Sequence, residues 1–298
     1  CWLLVASCRL QDILPIFDIK LMEETNTSFW EGKKVLVTGA GGFIGSHLCE
    51  KLVESGSKVR AFIRYNSSDS RGLLDILPGE VTSKIEIVTG DILDEESVTK
   101  AVNNTEIIFH LAALPGIPYS LNNPRHVFLV NTYGSYNLLS AARSADVNRV
   151  IMTSSAGASE KRPILSPYIM SKSAMERVGL GFSQGFGLDV RVIRLMNNYG
   201  PRQSARAVIP TIISQALTRD DVHLGALEPR MDFNFVKDTI IALMKTAETG
   251  RPVEKVLTWG TGVSISIREI AERIFSIIGR KGLYTVTDEE RVRPSSGT

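Results

Sequence analysis

The sequence has few of the features that mark several large classes of protein. It contains 3 cysteines in 298 residues. Cys1, Cys8 and Cys49 have neither the spacing of metal ligands nor the number that a disulfide framework needs. We therefore expect no metal site and no disulfide framework, and a reducing cytoplasm is the default location. Every apolar run falls short of the ~18 residues that a membrane-spanning helix requires, so we expect no membrane partner.

The charge balance excludes a second group of functions. Lys and Arg number 34 and Asp and Glu number 32, which leaves a net charge of +2. Nucleic-acid-binding proteins usually carry a marked basic excess, so we expect no nucleic-acid partner. What is present is an ordinary globular composition, with 43% hydrophobic and 22% charged residues. The chain is long enough for two domains or subdomains.

Strand-like and helix-like segments alternate along the first two thirds of the chain. Short runs rich in valine and isoleucine predict strands at Lys33–Thr38, Lys58–Arg64, Ile85–Thr89, Ile107–Leu111, Arg149–Thr153 and Arg191–Leu195. Helical apolar spacing falls between them at Ile44–Ser55, Ser97–Val102, Val127–Arg143 and Pro167–Phe186. Such alternation is typical of parallel βαβ units. It predicts an α/β fold with a doubly wound parallel Rossmann sheet.

The chain changes character after Tyr199, where prolines separate shorter elements. Helices are predicted at Val208–Leu217, Asp238–Glu248 and Ile267–Ile278, and a strand at Val256–Gly260. We expect residues 1–31 to be a poorly ordered extension, 32–198 a dinucleotide-binding domain, and 199–298 a smaller substrate-binding lobe interleaved with the last sheet elements.

A glycine-rich segment joins the first predicted strand to the first predicted helix. It reads Thr38-Gly39-Ala40-Gly41-Gly42-Phe43-Ile44-Gly45. A dinucleotide pyrophosphate binds backbone N–H groups at a helix N-terminus, where side chains would block its approach. Gly39 permits the turn, Gly42 the close approach, and Gly45 close packing of helix on strand. The motif predicts a bound NAD or NADP, with contacts that extend to Phe43 and Ile44.

A second motif is Tyr168-Ile169-Met170-Ser171-Lys172. Residues four apart share one face of a helix, so Lys172 can lie beside Tyr168 and also hydrogen-bond the ribose of the cofactor. Its positive charge favours the phenolate and should lower the pKa of Tyr168 from ~10 toward working pH. Tyr168 is therefore a candidate general base for a sugar hydroxyl.

Together these motifs resemble the extended short-chain dehydrogenase/reductases of the NAD-dependent epimerase/dehydratase family. The glycine spacing is G-x-x-G-x-x-G, and further family segments follow in order. The resemblance implies cofactor contacts at Asp91, Ile92, Leu111, Ala112, Ala113 and Asn131. It also places the catalytic Ser or Thr at the end of the fifth strand, where Ser155 is the first candidate and Ser154 the second.

The substrate half resembles nucleotide-sugar epimerases and dehydratases. The segment from Arg194 to Arg202 is similar to R-x-x-N-x-Y-G-P, which implies that Asn197 contacts the substrate diphosphate. Ile209 lies in the family's V-I-P, before a substrate-side helix. Arg230 opens a segment similar to R-D-[FY]-x-[YF]-V-x-D and is the candidate anion clamp, because a guanidinium donates two parallel hydrogen bonds to phosphate.

Several stretches, including Arg64–Ser67 and Gln203–Pro210, are most similar to bacterial dehydratases of nucleotide-linked N-acetylhexosamines. The resemblance implies 4,6-dehydration of a nucleotide-linked sugar through a 4-keto intermediate. It also implies a homodimer, packed through the helices that begin at Val127 and Pro167.

The sequence departs from the family pattern just after Ser155. Elimination of water needs an acid and a base besides the tyrosine, and the family supplies them there. Here those positions hold Ala156 and Gly157, and the loop before Tyr168 is short; Glu160 matches its acidic end. Two alternatives therefore stay open: a 4-epimerase, which needs no such pair, and a catalytically impaired homologue that binds dinucleotide without turnover.

Two other departures concern the cofactor and the end of the chain. Ile63 stands where NAD enzymes usually carry an acid for the ribose 2′-hydroxyl, and Arg64 follows it. An arginine there can pair with the 2′-phosphate of NADP, so Arg64 favours NADP over NAD. Because relatives continue beyond the equivalent of Thr298, we expect the substrate-binding lobe to be truncated.

Overall fold

The computed structural model describes residues 25–159, 163–164, 166–250, 255–279 and 285–287. The predicted N-terminal extension lies mostly outside these ranges, as do Glu160 and the end of the chain. The described chain divides into two compact units. The sheet unit comprises residues 25–195 and 239–259, and the second unit comprises residues 196–238 and 260–287, each with the gaps given above.

The regular elements are numbered along the chain. The strands are β1 Lys34–Thr38, β2 Lys58–Arg64, β3 Ile85–Gly90, β4 Ile107–His110, β5 Arg149–Ser155, β6 Val190–Leu195, β7 Asn197–Tyr199, β8 Val222–Leu224, β9 Arg230–Phe235, β10 Val256–Trp259, β11 Ser264–Ser266 and β12 Thr285–Thr287. The helices are α1 Thr27–Trp30, α2 Phe43–Glu54, α3 Gly79–Thr82, α4 Glu95–Val102, α5 Ile117–Asn122, α6 Pro124–Phe128, α7 Gly134–Ser144, α8 Pro167–Phe186, α9 Val208–Thr218, α10 Val236–Glu248 and α11 Ile267–Ile278.

Seven of the described strands form one parallel sheet in the sheet unit. Their order is β10-β6-β5-β4-β1-β2-β3, and every pairing is parallel. Strands buried on both faces read as continuous apolar runs, and Leu36, Ile108 and Val150 in the three central strands are fully buried. The predicted doubly wound α/β fold is confirmed.

The strand order creates a crevice at the carboxyl ends of β1 and β4. These strands are neighbours, but the chain leaves β1 toward β2 and β3 and later builds outward from β4 in the other direction. Ligands of open α/β sheets bind at such a switch point. The glycine-rich segment follows β1 and Leu111 follows β4, so both predicted cofactor segments end at this edge.

Helix α8, which carries Tyr168 and Lys172, has clear start and stop signals. Ser166 caps its first turn by accepting the N–H of Ile169, Pro167 occupies its first position, and Gly187 ends it with φ 77°. Proline at the start and a left-handed glycine just after the end are the usual boundaries of a helix. The prediction of a helix over residues 167–186 matches these bounds.

The predicted helix over Val127–Arg143 is wrong in one respect, because it is not a single regular helix. The structure has α6, a π-helical turn at Leu129–Tyr133, and then α7. Within this turn the Asn131 side chain bonds Leu114 and Ser171 rather than facing solvent. Such π-helical turns are frequent at functional sites.

The second unit has small sheets and its own apolar core. Its strands β11, β9 and β7 form one sheet, and β12 pairs with β8. Isoleucines of α9 and α11, among them Ile212 and Ile270, pack together in the core. Strands β7, β8 and β11 have three residues each, too short for the alternating pattern by which sequence reveals a strand.

Candidate active site

The segment between β1 and α2 has the backbone form that a dinucleotide pyrophosphate requires. Gly39 has φ 68°, and a Cβ there would lie 2.8 Å from the backbone nitrogen of Ala112. A Cβ at Gly42 would lie 3.1 Å from the Gly39 carbonyl oxygen, and one at Gly45 would collide with the same oxygen. Helix α2 begins at Phe43 with no side-chain cap and no acid in its first turn. Its N–H groups can therefore receive an anion, and these residues fit a dinucleotide.

His110 connects the end of β4 to this segment. Its Nδ1 lies 2.8 Å from Thr38 Oγ1, which also accepts the N–H of Ala112 at 3.2 Å. Its Nε2 lies 2.8 Å from Ser135 Oγ, and that hydroxyl donates to the Asn131 carbonyl at 2.6 Å. Because the Ser135 proton is used there, Nε2–H of His110 is the donor and Nδ1 accepts from Thr38. Burial lowers the pKa of His110 to about 3, so the ring is neutral.

Asn131 joins the loop after β4 to helix α8. Its Oδ1 accepts the N–H of Leu114 at 2.7 Å, and its Nδ2 donates to the Leu114 carbonyl and to Ser171 Oγ. Ser171 Oγ in turn donates to the Tyr168 carbonyl at 2.7 Å. Since the side chain of Asn131 is fully buried and both amide protons are used, these bonds support a positioning role. Direct contact with the cofactor stays a prediction.

The predicted adenine-side residues differ in exposure. Asp91 is exposed and its Oδ1 accepts the N–H of Leu93 at 2.9 Å. Ile92 is buried, and a Cβ at Gly134 would lie 2.8 Å from its side chain, so only its backbone is available to a ligand. Arg64 is exposed at the end of β2. Its contact with a 2′-phosphate is still a prediction.

Ser155, Tyr168 and Lys172 come together where β5 meets α8. Tyr168 has a side-chain hydrogen bond with Ser155, whose Oγ also accepts the N–H of Gly157 at 3.3 Å. The Lys172 Nζ donates to the Thr153 carbonyl at 2.9 Å. Ser154 is buried with no hydrogen-bond partner for its hydroxyl in the described chain. Since adjacent strand residues face opposite sides, Ser155 is the serine beside Tyr168.

The expected lowering of the pKa of Tyr168 by Lys172 is wrong for this state. Burial raises the pKa of Tyr168 to about 12, and the hydrogen bond with Ser155 opposes that rise only in part. The Lys172 ammonium is directed to the Thr153 carbonyl, and burial lowers its own pKa to about 8, against the opposing charge of Glu176. Desolvation is therefore the largest influence on the pKa of both groups.

The residues after Ser155 form a tight 3₁₀ turn, Ala156–Ala158. A Cβ at Gly157 would lie 2.5 Å from Ile169 Cδ1, and Ala156 is buried. Neither position carries a group that moves a proton, and a side chain at Gly157 would have to displace the end of the Ile169 side chain. Glu160, the acid that matches the end of the shortened loop, lies outside the described residues.

Sequence reasoning missed Glu176. Its carboxylate accepts Nε and Nη2 of Arg194 at 2.8 and 2.6 Å, and both side chains are largely buried. The signal was present, because Glu176 lies four residues after Lys172 and a buried acid on a helix needs a partner.

The predicted substrate residues lie in the second unit. Asn197 is exposed, and its Nδ2 donates to the Asp232 carbonyl at 3.2 Å. Nη1 of Arg230 lies 3.0 Å from a carboxylate oxygen of Glu269, and its Nη2 donates to the Ser264 carbonyl. The side chain of Ile209 lies in the core of this unit, which assigns it to packing. None of these contacts tests the predicted substrate binding.

In the part of the chain that the structure describes, no helix has the length and apolar character of a membrane span. No group of three or more His, Cys, Asp or Glu side chains that could hold a metal ion is found there either. A cytoplasmic location stays a prediction from cysteine content.

Comparison with known proteins identifies the family. The model of the GDP-mannose 4,6 dehydratase family matches residues 36–297. The chain belongs to that family. This confirms the resemblance to the NAD-dependent epimerase/dehydratase family of extended short-chain dehydrogenase/reductases.

Similar proteins carry the names of different reactions. A UDP-glucose 4-epimerase of Mycolicibacterium smegmatis is 33% identical, over 83% of this chain and 83% of its own. The structure of a UDP-N-acetylglucosamine 4-epimerase from Methanobrevibacter ruminantium superposes with TM-score 0.78 at 28% identity, over 87% of this chain and 86% of its own. A UDP-glucuronic acid 4-epimerase from Bacillus cereus, solved with UDP-glucuronic acid and NAD, gives 0.75 at 27%, over 85% and 86%. These three are named as 4-epimerases, whereas the matching family model and a human relative at 29% identity are named as 4,6-dehydratases.

Proposed function

We propose that this chain oxidises C4 of a nucleotide-linked sugar and returns the hydride to the same carbon, as a 4-epimerase does. One observation carries the proposal. Ser155, Tyr168 and Lys172 lie together, whereas the turn Ala156–Ala158 beside them has no group that can transfer a proton. Oxidation at C4 needs one base, and elimination of water needs an acid and a base besides.

In the proposed reaction, Tyr168 first releases its own proton to solvent, and the phenolate oxygen then accepts the proton of the 4-hydroxyl as that O–H bond breaks. The C4–H bond breaks at the same time and its electron pair leaves as hydride. Ser155 Oγ orients the hydroxyl, and the Lys172 ammonium favours the phenolate form of Tyr168. When bound, the dinucleotide accepts the hydride and gives it back. Return of hydride to the opposite face of the 4-keto sugar gives the epimer, with no net oxidation.

The proposed cofactor is a nicotinamide dinucleotide, either NAD or NADP. The glycine-rich segment fits a dinucleotide, and a structural relative binds NAD, whereas Arg64 favours NADP. The substrate is a nucleotide-linked sugar, as in the relatives that bind UDP-sugars. Asn197 and Arg230 are proposed to bind its diphosphate; Arg230 would then exchange or share its contact with Glu269.

A 4,6-dehydratase is the second candidate. The matching family model carries that name, and the segment Gln203–Pro210 is similar to bacterial dehydratases. This activity would require Glu160 or another group outside the described residues to complete the elimination.

Product analysis separates these candidates. The purified chain is incubated with NAD or NADP and a panel of UDP-, GDP- and dTDP-sugars, and the products are examined by mass spectrometry and NMR. An isomer of unchanged mass, absent with Tyr168→Phe, supports the epimerase. A product lighter by one water overturns it in favour of the dehydratase. Cofactor binding without any product would mean a catalytically impaired homologue.

We also propose a homodimer formed through α7 and α8. Three exposed aromatic side chains lie on this surface: Tyr133 stacks on Tyr136 at 6.0 Å, and the buried Phe182 joins Tyr136 to the exposed Phe186. Exposed aromatic patches of this kind mark protein interfaces. Sedimentation should show a dimer that Tyr136→Glu converts to monomer, while the same change at the exposed Tyr65 leaves it intact. A monomeric wild type contradicts the proposal.

A further inference from the structure

A largely buried set of charges runs from Lys172 to Arg194. Glu176 lies four residues after Lys172 on α8, so the two share one face. The Glu176 side chain is 5% exposed, and its carboxylate receives both Nε and Nη2 of Arg194. Arg194 lies on β6, next to β5 in the sheet. The pair has the two-pronged geometry in which bonds between arginine and carboxylate are strongest.

Stability alone is a weak explanation for this pair, because desolvation of two charges costs about as much as their attraction returns. The charge of Glu176 acts on the Lys172 ammonium, which in turn acts on His110 of β4 and donates to the Thr153 carbonyl of β5. Tyr168 lies four residues before Lys172 on the same helix. The ring of His110 is neutral and the hydroxyl of Tyr168 is protonated at neutral pH. Of these groups, Glu176 supplies the negative charge.

We propose that Glu176 is a positioning residue that keeps Lys172 charged and in place beside Tyr168, and that Arg194 limits how strongly it does so. The inference rests on the proposed role of Lys172 in the C4 oxidation. It deepens that role by naming the pair that regulates the lysine.

The two partners should act in opposite directions. Without the Glu176 charge, Lys172 loses the attraction that opposes its desolvation, and it then loses its proton at lower pH. Without Arg194, the Glu176 carboxylate is unopposed, and Lys172 keeps its proton to higher pH. Each shift should be about one pH unit, the usual size for a charge within a few ångströms.

The test follows the titration of Lys172 in the full chain, without substrate or cofactor. Lysine-selective ¹³Cε NMR is recorded across a pH series, and the Lys172 resonance is assigned with Lys172→Arg. The wild-type midpoint should lie near 8. Glu176→Gln should lower it and Arg194→Met should raise it. Glu96→Gln is the matched control, because Glu96 and Lys100 are also four apart on a helix, at 2.7 Å, but exposed; it should leave Lys172 unchanged.

Loss of folding cannot imitate the expected pattern. An unfolded chain gives a lysine midpoint near the ordinary ~10.4, which moves both variants upward. An unchanged midpoint in Glu176→Gln, or shifts of both variants in one direction, would overturn the inference. Shifts in opposite directions in a chain that turns over no sugar would sink the proposed function and leave this inference standing. Turnover of a nucleotide-linked sugar without these shifts in the Lys172 midpoint would overturn this inference and leave the proposed function standing. In an active enzyme, Glu176→Gln should also move the alkaline limb of kcat/KM to lower pH.

Discussion

Two neighbouring stretches at the end of β5 differ in what they can do with a proton. Ser155 and Tyr168 share a hydrogen bond, and Lys172 lies one turn further along the same helix. The turn Ala156–Ala158 offers only two methyl groups and a hydrogen as side chains. In the proposed reaction, the groups beside the reacting carbons, rather than the fold that the family shares, decide which product forms.

The largest effect should come from removing the proposed base, Tyr168. Tyr168→Phe removes the phenolic oxygen that accepts the proton of the 4-hydroxyl, and general-base catalysis is worth about 10²–10⁴-fold. We expect kcat to fall about 10³-fold while dinucleotide binding, measured by fluorescence titration, stays within about twofold. A variant that keeps wild-type turnover would remove Tyr168 from the mechanism.

The buried His110 should make the stability of the protein depend on pH. The folded pKa of His110 is lowered from 6.5 to about 3, so the unfolded chain takes up the proton first. The contribution is present above about pH 6.5 and is lost as the pH falls toward 3. From pH ~6.5 to pH ~5 the wild type should lose about 2 kcal/mol of unfolding free energy relative to His110→Gln. If the unfolding free energies of the two proteins, measured with urea, change equally with pH, His110 is not a buried neutral histidine.

The space in the turn Ala156–Ala158 can be tested with a larger side chain at Gly157. Gly157→Ala places a methyl group against Ile169 Cδ1, and such overpacking costs about 1–3 kcal/mol. The double variant with Ile169→Val, which lacks that atom, should recover part of the loss. Denaturation midpoints measure both effects. If Gly157→Ala is as stable as the wild type, the turn has room for a larger side chain, and the argument against an acid at that position fails.

The smallest effect concerns the far end of the cofactor. Arg64 is exposed, and an exposed charge pair is worth about 1 kcal/mol. Arg64→Ala should therefore weaken NADP binding about fivefold and leave NAD binding unchanged, as measured by calorimetry. Arg60→Ala is a poor control because Arg60 caps a helix end; Arg268→Ala, which removes an exposed arginine of the second unit, is the better one. Equal loss for both cofactors would remove Arg64 as the selective residue.

Sequence patterns predicted the sheet unit well because its elements are long and their signals agree. Strands β1 and β2 have apolar runs at residues 35–37 and 61–63, and α8 has both its proline and its glycine boundary. The three-residue strands of the second unit have no such signal. The π-helical turn at Leu129–Tyr133 depends on bonds from Asn131 to residues far away in sequence, which no local pattern reveals.

The candidate site was predictable in its residues and less so in its electrostatics. Spacing placed Tyr168 and Lys172 on one helix face, and the structure has them there. The pKa of each depends on burial, which the sequence does not display: desolvation raises that of Tyr168 and lowers that of Lys172. Glu176 and Arg194 are 18 residues apart and lie on different elements, α8 and β6. Their pairing could be recognised only in three dimensions.

The most direct test of the central claim follows one hydrogen atom. A nucleotide-linked sugar that the enzyme accepts is prepared with deuterium at C4, and the product is examined by NMR. Our account predicts that the deuterium is found at C4 of the epimer, because the hydride returns to the carbon that it left. Deuterium at C6 of a product lacking one water would contradict it, since the chain would then carry out the elimination for which the turn after Ser155 has no residues.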